Sequence, residues 1–383
     1  MKESALNLRK IHVVSFQVPF PPNYGGVIDV YYKLRALKEE GYSIILHTYV
    51  YSRERSEEAL SHLADEVHYY ERATGILSQF SVLPYIVKSR SDNRLLANLL
   101  KDDHPILFEG LHTGFFLSRP ELKNRVKMVR AHNIEHEYYR YLEQSCASLW
   151  KRAFFKIESW RLKRFERILH HATHILAIST GERDYFSRSY PGVKVELLPC
   201  FFEQDAPGGI PGQEPYILYH GNLAVEENEN AALYILDNIA PRLPEFRFVI
   251  AGADPGVKLR ESVARLSHVT LLANPPKEEM DELVFGARIH LLITFQNTGV
   301  KLKLLNALYK GAYCIVNSAM VAGSMLDQLC VIADGAPDIV EAIKARAGDT
   351  YTPEQKEARI AALNQLYSCN RNISVITEAC VGK

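Results

Sequence analysis

The sequence predicts an α/β protein made of two doubly wound parallel-sheet domains, and three observations support this. Buried strands alternate with helices along most of the 383 residues, which is typical of parallel sheets covered by helices on both faces. The alternation is interrupted by the proline- and glycine-rich stretch 198–215, whose composition predicts a linker. The length also suits two domains of roughly 100–200 residues each. We therefore expect two Rossmann-like sheets that face a cleft, in domains 1–203 and 204–365.

The first half opens with a predicted strand at 11–16, a turn-rich loop at 19–26 and a helix at 27–40, which Gly41 ends. Further strands are predicted at 42–49, 67–70, 106–109, 126–130 and 174–178.

The second half repeats the alternation. Its strands are predicted at 216–220, 247–251, 269–272, 289–293 and 313–317. Its helices are predicted from about 228 and at 257–266, 276–285 and 301–310, followed by a polar helix that ends near 366. Ligands of such sheets bind outside the carboxyl ends of the strands, here in the expected cleft.

Composition excludes several classes of protein. Lys and Arg total 45 and so do Asp and Glu, which argues against a nucleic-acid binder held by phosphate contacts. No apolar run approaches 18 residues, and no signal peptide is recognised at the start. The six cysteines are scattered without a C-x-x-C pair, which predicts free thiols in the reducing cytoplasm. No cluster has convincing metal-ligand spacing, so we expect neither a metal nor a cofactor.

Residues 298–311 carry the strongest functional signal. Gly299 lets the backbone approach a ligand, and Gly311 ends the predicted helix. The start of a helix presents free N–H groups and the positive end of a dipole, which favour a phosphate. Lys301 and Lys303 lie in that first turn. A bound anion explains two cations there, whereas the alternative is an ordinary turn with solvated lysines.

Three other segments follow predicted strands and contain candidate ligand contacts. Gly25 and Gly26 precede the first helix, although the segment lacks the dinucleotide-binding G-x-G-x-x-G pattern. His132 comes just after a strand, and its imidazole can donate one hydrogen bond and accept another. Gly221 and Asn222 follow the first predicted strand of the second half. A plain surface loop or a structural histidine is the alternative in each case.

Two of these segments resemble the bacterial GT-B glycosyltransferases of family four. The resemblance rests on Gly299-Val-Lys-Leu-Lys303 with Ala307 and Gly311, and on Arg130-Ala-His-Asn-Ile-Glu135. It implies a nucleotide-sugar domain in the second half, an acceptor domain in the first, and a C-terminal segment, 366–383, that returns to the first domain. It also implies retaining transfer from a UDP- or GDP-sugar without a metal.

The resemblance assigns roles residue by residue. His132 would be catalytic, close to the transferred sugar or its leaving phosphate, and its neighbours Arg130, Asn133 and Glu135 would lie on the acceptor side. The donor-binding residues would be Gly25, Gly26, Gly221, Asn222, Thr298, Gly299, Val300, Lys301, Lys303 and Asn306.

The chain departs from the family pattern at Thr298 and Asn306, where the family has a pair of glutamates. It also has no Arg or Lys between Gly221 and Asn238, where relatives hold the diphosphate. Lys301 and Lys303 are the natural replacement. Three alternatives therefore stay open beside the sugar transferase for polysaccharide synthesis. They are a catalytically impaired binding or partner protein, a nucleotide-sugar epimerase on the same fold, and a two-lobed small-ligand binder.

Residues 150–169 form a predicted basic amphipathic helix. Seven Lys or Arg and two Glu lie between 151 and 167, interleaved with aromatic and aliphatic side chains. This composition suits an anionic membrane surface or a polyanionic acceptor, and a solvated helix packed on its domain is the alternative. The protein is accordingly expected in the cytoplasm, with peripheral contact at the inner membrane surface.

Overall fold

The computed structural model describes residues 9–51, 55–75, 81–146, 148–204, 207–296 and 299–382. These residues form two compact α/β units. One unit combines the chain up to Phe202 with the residues from Tyr367 onward, and the other runs from Glu203 to Leu366. Each unit is built around one parallel sheet, which confirms the predicted fold class of two doubly wound parallel-sheet domains.

Seven described strands form the sheet of the first unit and six form that of the second. In chain order they are β1 (Arg9–Ser15), β2 (Tyr42–Val50), β3 (Glu66–Glu71), β4 (Ile106–Glu109), β5 (Lys127–Ala131), β6 (His174–Ala177), β7 (Lys194–Leu197), β8 (Glu214–Asn222), β9 (Arg247–Ala253), β10 (Val269–Ala273), β11 (Ala287–Leu292), β12 (Tyr313–Val316) and β13 (Val331–Ile332).

The described helices cover the sheets and connect their strands. In chain order they are α1 (Gly25–Glu39), α2 (Glu57–Ser61), α3 (Tyr85–Lys88), α4 (Asn93–Leu99), α5 (Glu135–Ser145), α6 (Leu149–Phe165), α7 (Thr180–Ser189), α8 (Glu226–Asn238), α9 (Val257–Val263), α10 (Lys277–Gly286), α11 (Leu302–Lys310), α12 (Ser318–Val321), α13 (Ala336–Ala347), α14 (Pro353–Tyr367) and α15 (Cys369–Cys380). Within the described residues, no helix is both long and apolar enough to span a bilayer.

The strand order locates the point where each sheet reverses direction. It is β3-β2-β1-β4-β5-β6-β7 in the first unit and β10-β9-β8-β11-β12-β13 in the second. The order therefore reverses between β1 and β4, and again between β8 and β11. Connections leave these two strand pairs toward opposite faces, and ligands of open α/β sheets bind in the crevice this creates at the carboxyl ends.

The C-terminal helix completes the core of the first unit. Ser368 caps α15 by accepting a hydrogen bond from the backbone N–H of Arg371. Ile373 and Ile376 are buried in the same cluster as Leu34 and Leu37 of α1. Each such side chain contributes about 1.5–3 kcal/mol by leaving water, so α15 belongs to the first unit energetically as well as spatially.

Two strands and one helix end differ from the sequence predictions. The predictions omitted β7, which is a four-residue, half-exposed edge strand, and β13, which has only two residues. β13 is too short for the period-two pattern that identifies a strand, whereas β7 (Lys-Val-Glu-Leu) has that pattern over four residues and was overlooked. The basic helix predicted at 150–169 ends at Phe165 as α6, and a tighter 3-10 helix, Glu166–His171, follows it.

Candidate functional sites at the carboxyl ends of the two sheets

A buried network of four charges lies where the strand order of the first sheet reverses. Lys33 of α1 places its Nζ 2.8 Å from Asp29 Oδ2 and 2.8 Å from Oε1 of Glu109, the last residue of β4. Arg130 of β5 donates to both carboxylate oxygens of Asp29, from Nε to Oδ2 at 3.1 Å and from Nη2 to Oδ1 at 3.2 Å. All four side chains are at most 2 % exposed.

The network balances two carboxylates with two cations. Burial opposes ionisation of Asp29, but Arg130 and Lys33 outweigh it and hold the pKa of that carboxyl well below its usual range. Burial also opposes ionisation of Glu109, and Lys33 and His132 lower its pKa nonetheless. Both carboxyl groups are therefore ionised at neutral pH.

His132 lies at the edge of this network. Its Nε2 is 3.2 Å from Glu109 Oε2, and its Nδ1 is 3.8 Å from Asp29 Oδ2. The edge of the ring packs on Phe16, with the ring centres 5.9 Å apart. Because an ionised carboxylate can only accept, Nε2 carries a proton and donates it to Glu109. The other ring nitrogen, Nδ1, is on the side of Asp29.

Gly110 brings a second histidine to the same place. Its φ of +75° lies in the region that favours glycine, and a Cβ there would stand 2.7 Å from His112 Nδ1. That Nδ1 is 3.8 Å from Oε1 of Glu135, the first residue of α5. Burial, the charge of Arg90 and that of His132 keep the pKa of His112 well below its usual value, so this ring is neutral.

Asp29, Glu109 and His132 also have the residue types and proximity of metal ligands, with one ligand atom from each within 4.8 Å of the others. The donor set does not fit a metal ion, because the Lys33 ammonium already bridges the two carboxylates. A divalent cation would have to displace it or add to two buried positive charges. We therefore assign these side chains to a salt-bridge network that positions His132.

The placement of Arg130 corrects its predicted acceptor contact. The side chain is wholly buried, and its guanidinium donates to Asp29 and to the backbone carbonyl of Leu198. Arg130 therefore acts on His132 through Asp29 and cannot touch an acceptor. The resemblance assigned this contact from the position of Arg130 in a motif, and a motif does not show what covers a side chain.

Glu135 and Asn133 differ in their access to solvent. Asn133 is half-buried in the turn before α5, whereas Glu135 is only 4 % exposed. Burial and the negative charge of Glu166 raise the pKa of Glu135 to about 8, although Arg90 opposes them. Its carboxyl group is thus mainly protonated at neutral pH and can donate a hydrogen bond.

In the second unit, the N-terminus of α11 lies at the carboxyl edge where the strand order reverses between β8 and β11. Gly299 has a φ of +69°, and Lys301 is the N-cap residue of α11. No acidic residue occupies the first turn of α11, whereas the first turn of α8 contains three glutamates. An anion is therefore favoured at α11 and disfavoured at α8.

Lys303 is held by two neighbouring elements. Its Nζ donates to Asn228 Oδ1 at 2.9 Å and to the Tyr219 hydroxyl at 3.3 Å, and it lies 5.0 Å from the centre of the Tyr219 ring. Burial lowers the pKa of Lys303 to about 8, with Lys301 acting in the same direction and the charge of Glu227 opposing it. The ammonium is fixed but only partly neutralised.

Lys301 lies closer to the acidic end of α8. Its Nζ is 4.0 Å from Glu227 Oε1 and 3.5 Å from Gln296 Oε1. Glu227 in turn accepts a hydrogen bond from the Thr294 hydroxyl. Lys301, Lys303 and Glu227 together carry one net positive charge. A diphosphate carries more than one negative charge, so this group neutralises it only in part.

The other predicted donor residues lie around the same edge or at the start of α1. Asn228 donates from Nδ2 to the backbone carbonyl of Asn222, and a Cβ on Gly221 would meet the Asn228 amide at 3.4 Å. Val300 and Asn306 are half-buried, while Gly25 and Gly26 open α1 in the first unit. Thr298 lies outside the described residues.

Several residues of these sites were missed in the sequence, among them Asp29, Lys33, Glu109, Tyr219 and Asn228. Two signals could have indicated some of them. Asp29 and Lys33 are spaced i, i+4 on one helix, which predicts a pair, and Glu109 is a charged residue at the end of an apolar strand. Tyr219 and Asn228 show no such pattern, because only the packing of α8 on β8 brings them to Lys303.

Comparisons with known proteins support the fold. No protein-family model matches the chain. An uncharacterized 44.6 kDa protein in the cps region of Klebsiella pneumoniae is 27% identical over an alignment of 338 positions, and the alignment covers 81% of this chain and 83% of that protein.

Two solved structures align over nearly the whole chain. Sucrose-phosphate synthase from Thermosynechococcus elongatus has a TM-score of 0.70 and 16% identity, covering 97% of this chain and 98% of its own. The S. aureus protein TarM, in a complex that includes UDP, has a TM-score of 0.66 and 9% identity, covering 97% and 100%. The likeness confirms the fold that the sequence resemblance implied: the chain has the GT-B fold of glycosyltransferases.

Proposed function

We propose that the protein is a glycosyltransferase that moves a hexose from a nucleotide sugar to a glycan or lipid-linked acceptor in polysaccharide synthesis. The start of α11 is the observation that carries this proposal. It combines the positive end of a helix dipole, Gly299 in a left-handed conformation and the ammonium groups of Lys301 and Lys303 at the reversal point of a doubly wound sheet. The similarity to a protein of a cps region supports a role in polysaccharide synthesis.

In this proposal the leaving diphosphate is neutralised by the two lysines and the dipole of α11, without a metal or cofactor. The backbone at Gly221, Asn222 and Val300 belongs to the same donor site of the second unit, and Asn306 faces the ribose. Gly25 and Gly26, in the first unit, are assigned to the donor by the family resemblance alone. The family resemblance implies UDP or GDP as the nucleotide, and the similar structure of TarM was solved with UDP. Transfer with retention is taken from the family resemblance alone.

His132 contributes to transfer from the first unit. Its ring is held by Glu109 and Phe16 and is 11 % exposed. A fixed imidazole beside the acceptor lowers the cost of orienting the reactants. Asn133 and Glu135 belong to the acceptor side, where a protonated Glu135 carboxyl would donate to an acceptor oxygen.

A catalytically impaired binding or partner protein is the second candidate, and Asn306 favours it. An amide there cannot provide the charge-assisted hydrogen bonds to the ribose that a carboxylate gives. The nucleotide-sugar epimerase has less support. An epimerase needs carboxylates in the ligand site, and Glu227, the carboxylate beside Lys301, already accepts a hydrogen bond from the Thr294 hydroxyl.

Turnover separates these candidates. The protein would be incubated with UDP- and GDP-sugars, with and without lipid-linked and free glycan acceptors, while release of the nucleoside diphosphate is measured. Release that depends on the acceptor supports the transferase. Saturable binding of the nucleotide without release, for every donor tested, would support the impaired binder. Conversion of the free donor sugar to its epimer would instead support the epimerase.

We further propose that α6 brings the enzyme to the cytoplasmic face of an anionic membrane. Four apolar side chains of α6 are exposed: Leu149 (77%), Trp150 (89%), Ile157 (50%) and Trp160 (60%). Trp150, Ile157 and Trp160 are spaced along one stripe, and the exposed cations Lys156 and Lys163 lie beside it. Exposed tryptophans next to cations are typical of helices that lie in the headgroup region.

The chain has two tryptophans, and both lie on α6, so their fluorescence reports directly on this contact. We expect a blue shift with vesicles that contain phosphatidylglycerol and none with phosphatidylcholine alone. Lys156→Glu with Lys163→Glu should abolish the shift. Lys101→Glu with Lys123→Glu, at exposed positions elsewhere in the first unit, is the matched control. An unchanged shift in the α6 variant would exclude this surface.

A further inference from the structure

A cavity of about 360 Å³ opens at the amino ends of β12 and β13 in the second unit. Ala312 and Tyr313 line it where β12 begins, and Cys330 and Val331 line it where β13 begins. All strands of this sheet run parallel, so their amino and carboxyl ends lie at opposite edges. The cavity is therefore separate from the donor site proposed at Gly299 and the start of α11.

Two buried polar atoms of the cavity lining have no hydrogen-bond partner within the described residues. They are the hydroxyl of Tyr351, which is 4 % exposed, and Nε of Arg359, which is 7 % exposed. The two Nη atoms of Arg359 donate to the carbonyls of Gly311 and Ala312, which fixes the guanidinium in place. More than nine in ten buried polar groups have a partner, so two neighbouring exceptions in one cavity indicate a missing acceptor.

The lining carries positive charge and no carboxylate. It contains Arg346 and Arg359, two glutamines and two tyrosines, but neither Asp nor Glu. Burial raises the pKa of the Cys314 thiol to about 12 and also raises that of Cys330, so both thiols are protonated at neutral pH. Arg346, at the more exposed side, forms an ion pair with Asp349 at 2.9 Å.

The two arginines are stacked on aromatic rings. The guanidinium carbon of Arg359 is 4.7 Å from the centre of the Tyr351 ring, and that of Arg346 is 5.3 Å from the Tyr313 ring. Stacking holds a guanidinium plane in one orientation while its edge stays available to donate. For Arg359 the donor without a partner in the described part of the chain is Nε.

We infer that this cavity is a second ligand site, which binds a small organic anion through a phosphate or carboxylate group. An oxygen of the anion accepts from Tyr351 and from Nε of Arg359, and Arg346 supplies further charge. The volume lies within the range of small-molecule sites, about 300–1,000 Å³. The site goes beyond the proposed transferase function and does not depend on it.

Binding to the full chain is measured by calorimetry with inorganic phosphate, glucose 1-phosphate and citrate, at constant ionic strength with chloride as the reference. We expect saturable binding of at least one probe, and binding must persist in saturating UDP. Binding of phosphate alone would indicate a site for a bare anion, preference for glucose 1-phosphate a site for a sugar phosphate, and preference for citrate a site for a carboxylate. No saturable binding, or competition by UDP, would overturn the assignment.

Tyr351→Phe is the decisive variant, because it removes one hydroxyl and keeps the ring. We expect about a tenfold loss of affinity, which corresponds to about 1.4 kcal/mol. The matched control is Tyr313→Phe, whose hydroxyl is engaged with the Thr350 carbonyl and should matter less than threefold. Unchanged affinity in Tyr351→Phe would contradict the site.

A loss of binding by unfolding is distinguished by the melting temperature without ligand. Tyr351→Phe removes a buried hydroxyl without a partner and should melt at or above the wild-type temperature. Arg346→Gln provides a second test at the exposed side of the cavity, and it leaves the hydrogen bonds of Arg359 to Gly311 and Ala312 intact. It should weaken all three probes, and equal affinity in this variant would also contradict the site.

Discussion

Lys303 Nζ donates a 2.9 Å hydrogen bond to Oδ1 of Asn228, and this contact joins the first turns of α11 and α8. Two consequences follow for a ligand at the start of α11. The ammonium is held in place before any ligand binds, so little side-chain entropy remains to be lost. It is also only partly neutralised, because Asn228 is uncharged and Glu227 lies nearer to Lys301.

The first prediction concerns this lysine pair. Lys301→Ala with Lys303→Ala should weaken binding of UDP or GDP at least tenfold, while binding of the uncharged nucleoside changes little. The reason is that both cations act on the diphosphate. Calorimetry measures both ligands, and Lys344→Ala, at an exposed position on α13, is the control. Equal diphosphate affinity in the double variant and the wild type would contradict the assignment.

The pH dependence of the same site follows from the pKa of about 8 for Lys303. The ammonium is charged below that pH and loses its proton above it. Diphosphate affinity should therefore be highest below pH 8 and decline as the pH rises from about 8 to 10. In Lys303→Arg, which stays charged, this decline should be absent.

His132 gives the second prediction. His132→Ala should lower the turnover number 10²-fold or more, by the usual magnitude for acid–base groups of about 10²–10⁴. Donor affinity should stay within a few-fold, because the proposed contacts of Lys301 and Lys303 with the diphosphate are unchanged. Turnover and UDP binding are measured on the same preparation, with the exposed His171→Ala as the control. Wild-type turnover in His132→Ala would remove this residue from the mechanism.

The salt-bridge network around Asp29 gives the third prediction. Lys33→Met leaves Asp29 and Glu109 with one cation between them and should cost about 3–5 kcal/mol of unfolding free energy. Chemical denaturation checks this value. The exposed pair Arg35 and Glu39 is the contrast, since Arg35→Met should cost less than about 1 kcal/mol. A cost for Lys33→Met no larger than that for Arg35→Met would show that the network is not a source of stability.

The network also predicts an acid limb of stability. Both carboxyl groups have pKa values lowered in the folded state, so the unfolded chain takes up their protons first as the pH falls. Their contribution is complete above the unfolded values, about 3.9 for Asp and 4.3 for Glu, and is lost as the pH drops below that range. Lys33→Met should flatten this limb.

The fold was largely predictable from the sequence, and the charge network was not. Apolar strands alternate with helices, and this local pattern determines which residues are buried. Arg130 shows the limit of such reasoning, because a charged residue in a buried strand can face either a ligand or a buried partner. The partner here is Asp29, which lies 101 residues earlier in the chain. The GT-B fold has been confirmed, whereas the cleft between the two sheets remains a prediction.

Glu135 gives the fourth prediction, which links stability to function. Its pKa is raised to about 8 by burial and by Glu166, so the folded state retains a proton that the unfolded chain loses near pH 4.3. Its contribution to stability therefore falls as the pH rises from about 4.3 to 8. Glu135→Gln should raise the melting temperature at pH 8 more than at pH 5.

Glu135→Gln should affect transfer in the opposite direction to stability: the melting temperature rises and turnover falls. If the protonated carboxyl donates to the acceptor, Glu135→Gln retains a donor and some turnover, whereas Glu135→Ala loses both. Turnover of the two variants, with melting curves at both pH values, tests this directly. A melting temperature that changes equally at pH 5 and pH 8 would show that Glu135 is ionised in the folded protein.

Asn306 gives the fifth prediction. It is half-buried in the middle of α11, three residues after Lys303, where the family resemblance implies contact with the donor ribose. A carboxylate accepts hydrogen bonds from both ribose hydroxyls, so Asn306→Glu should keep or raise donor affinity. The opposing effect is the added negative charge near the diphosphate, which Lys301 and Lys303 offset. In the double lysine variant the same change should therefore weaken binding of the donor.

Calorimetry with UDP and with uridine separates the two effects, because uridine keeps the ribose and lacks the diphosphate. Asn306→Asp, with a shorter carboxylate, is the matched control for charge alone. If Asn306→Glu left uridine and UDP affinity both unchanged, residue 306 would not face the donor.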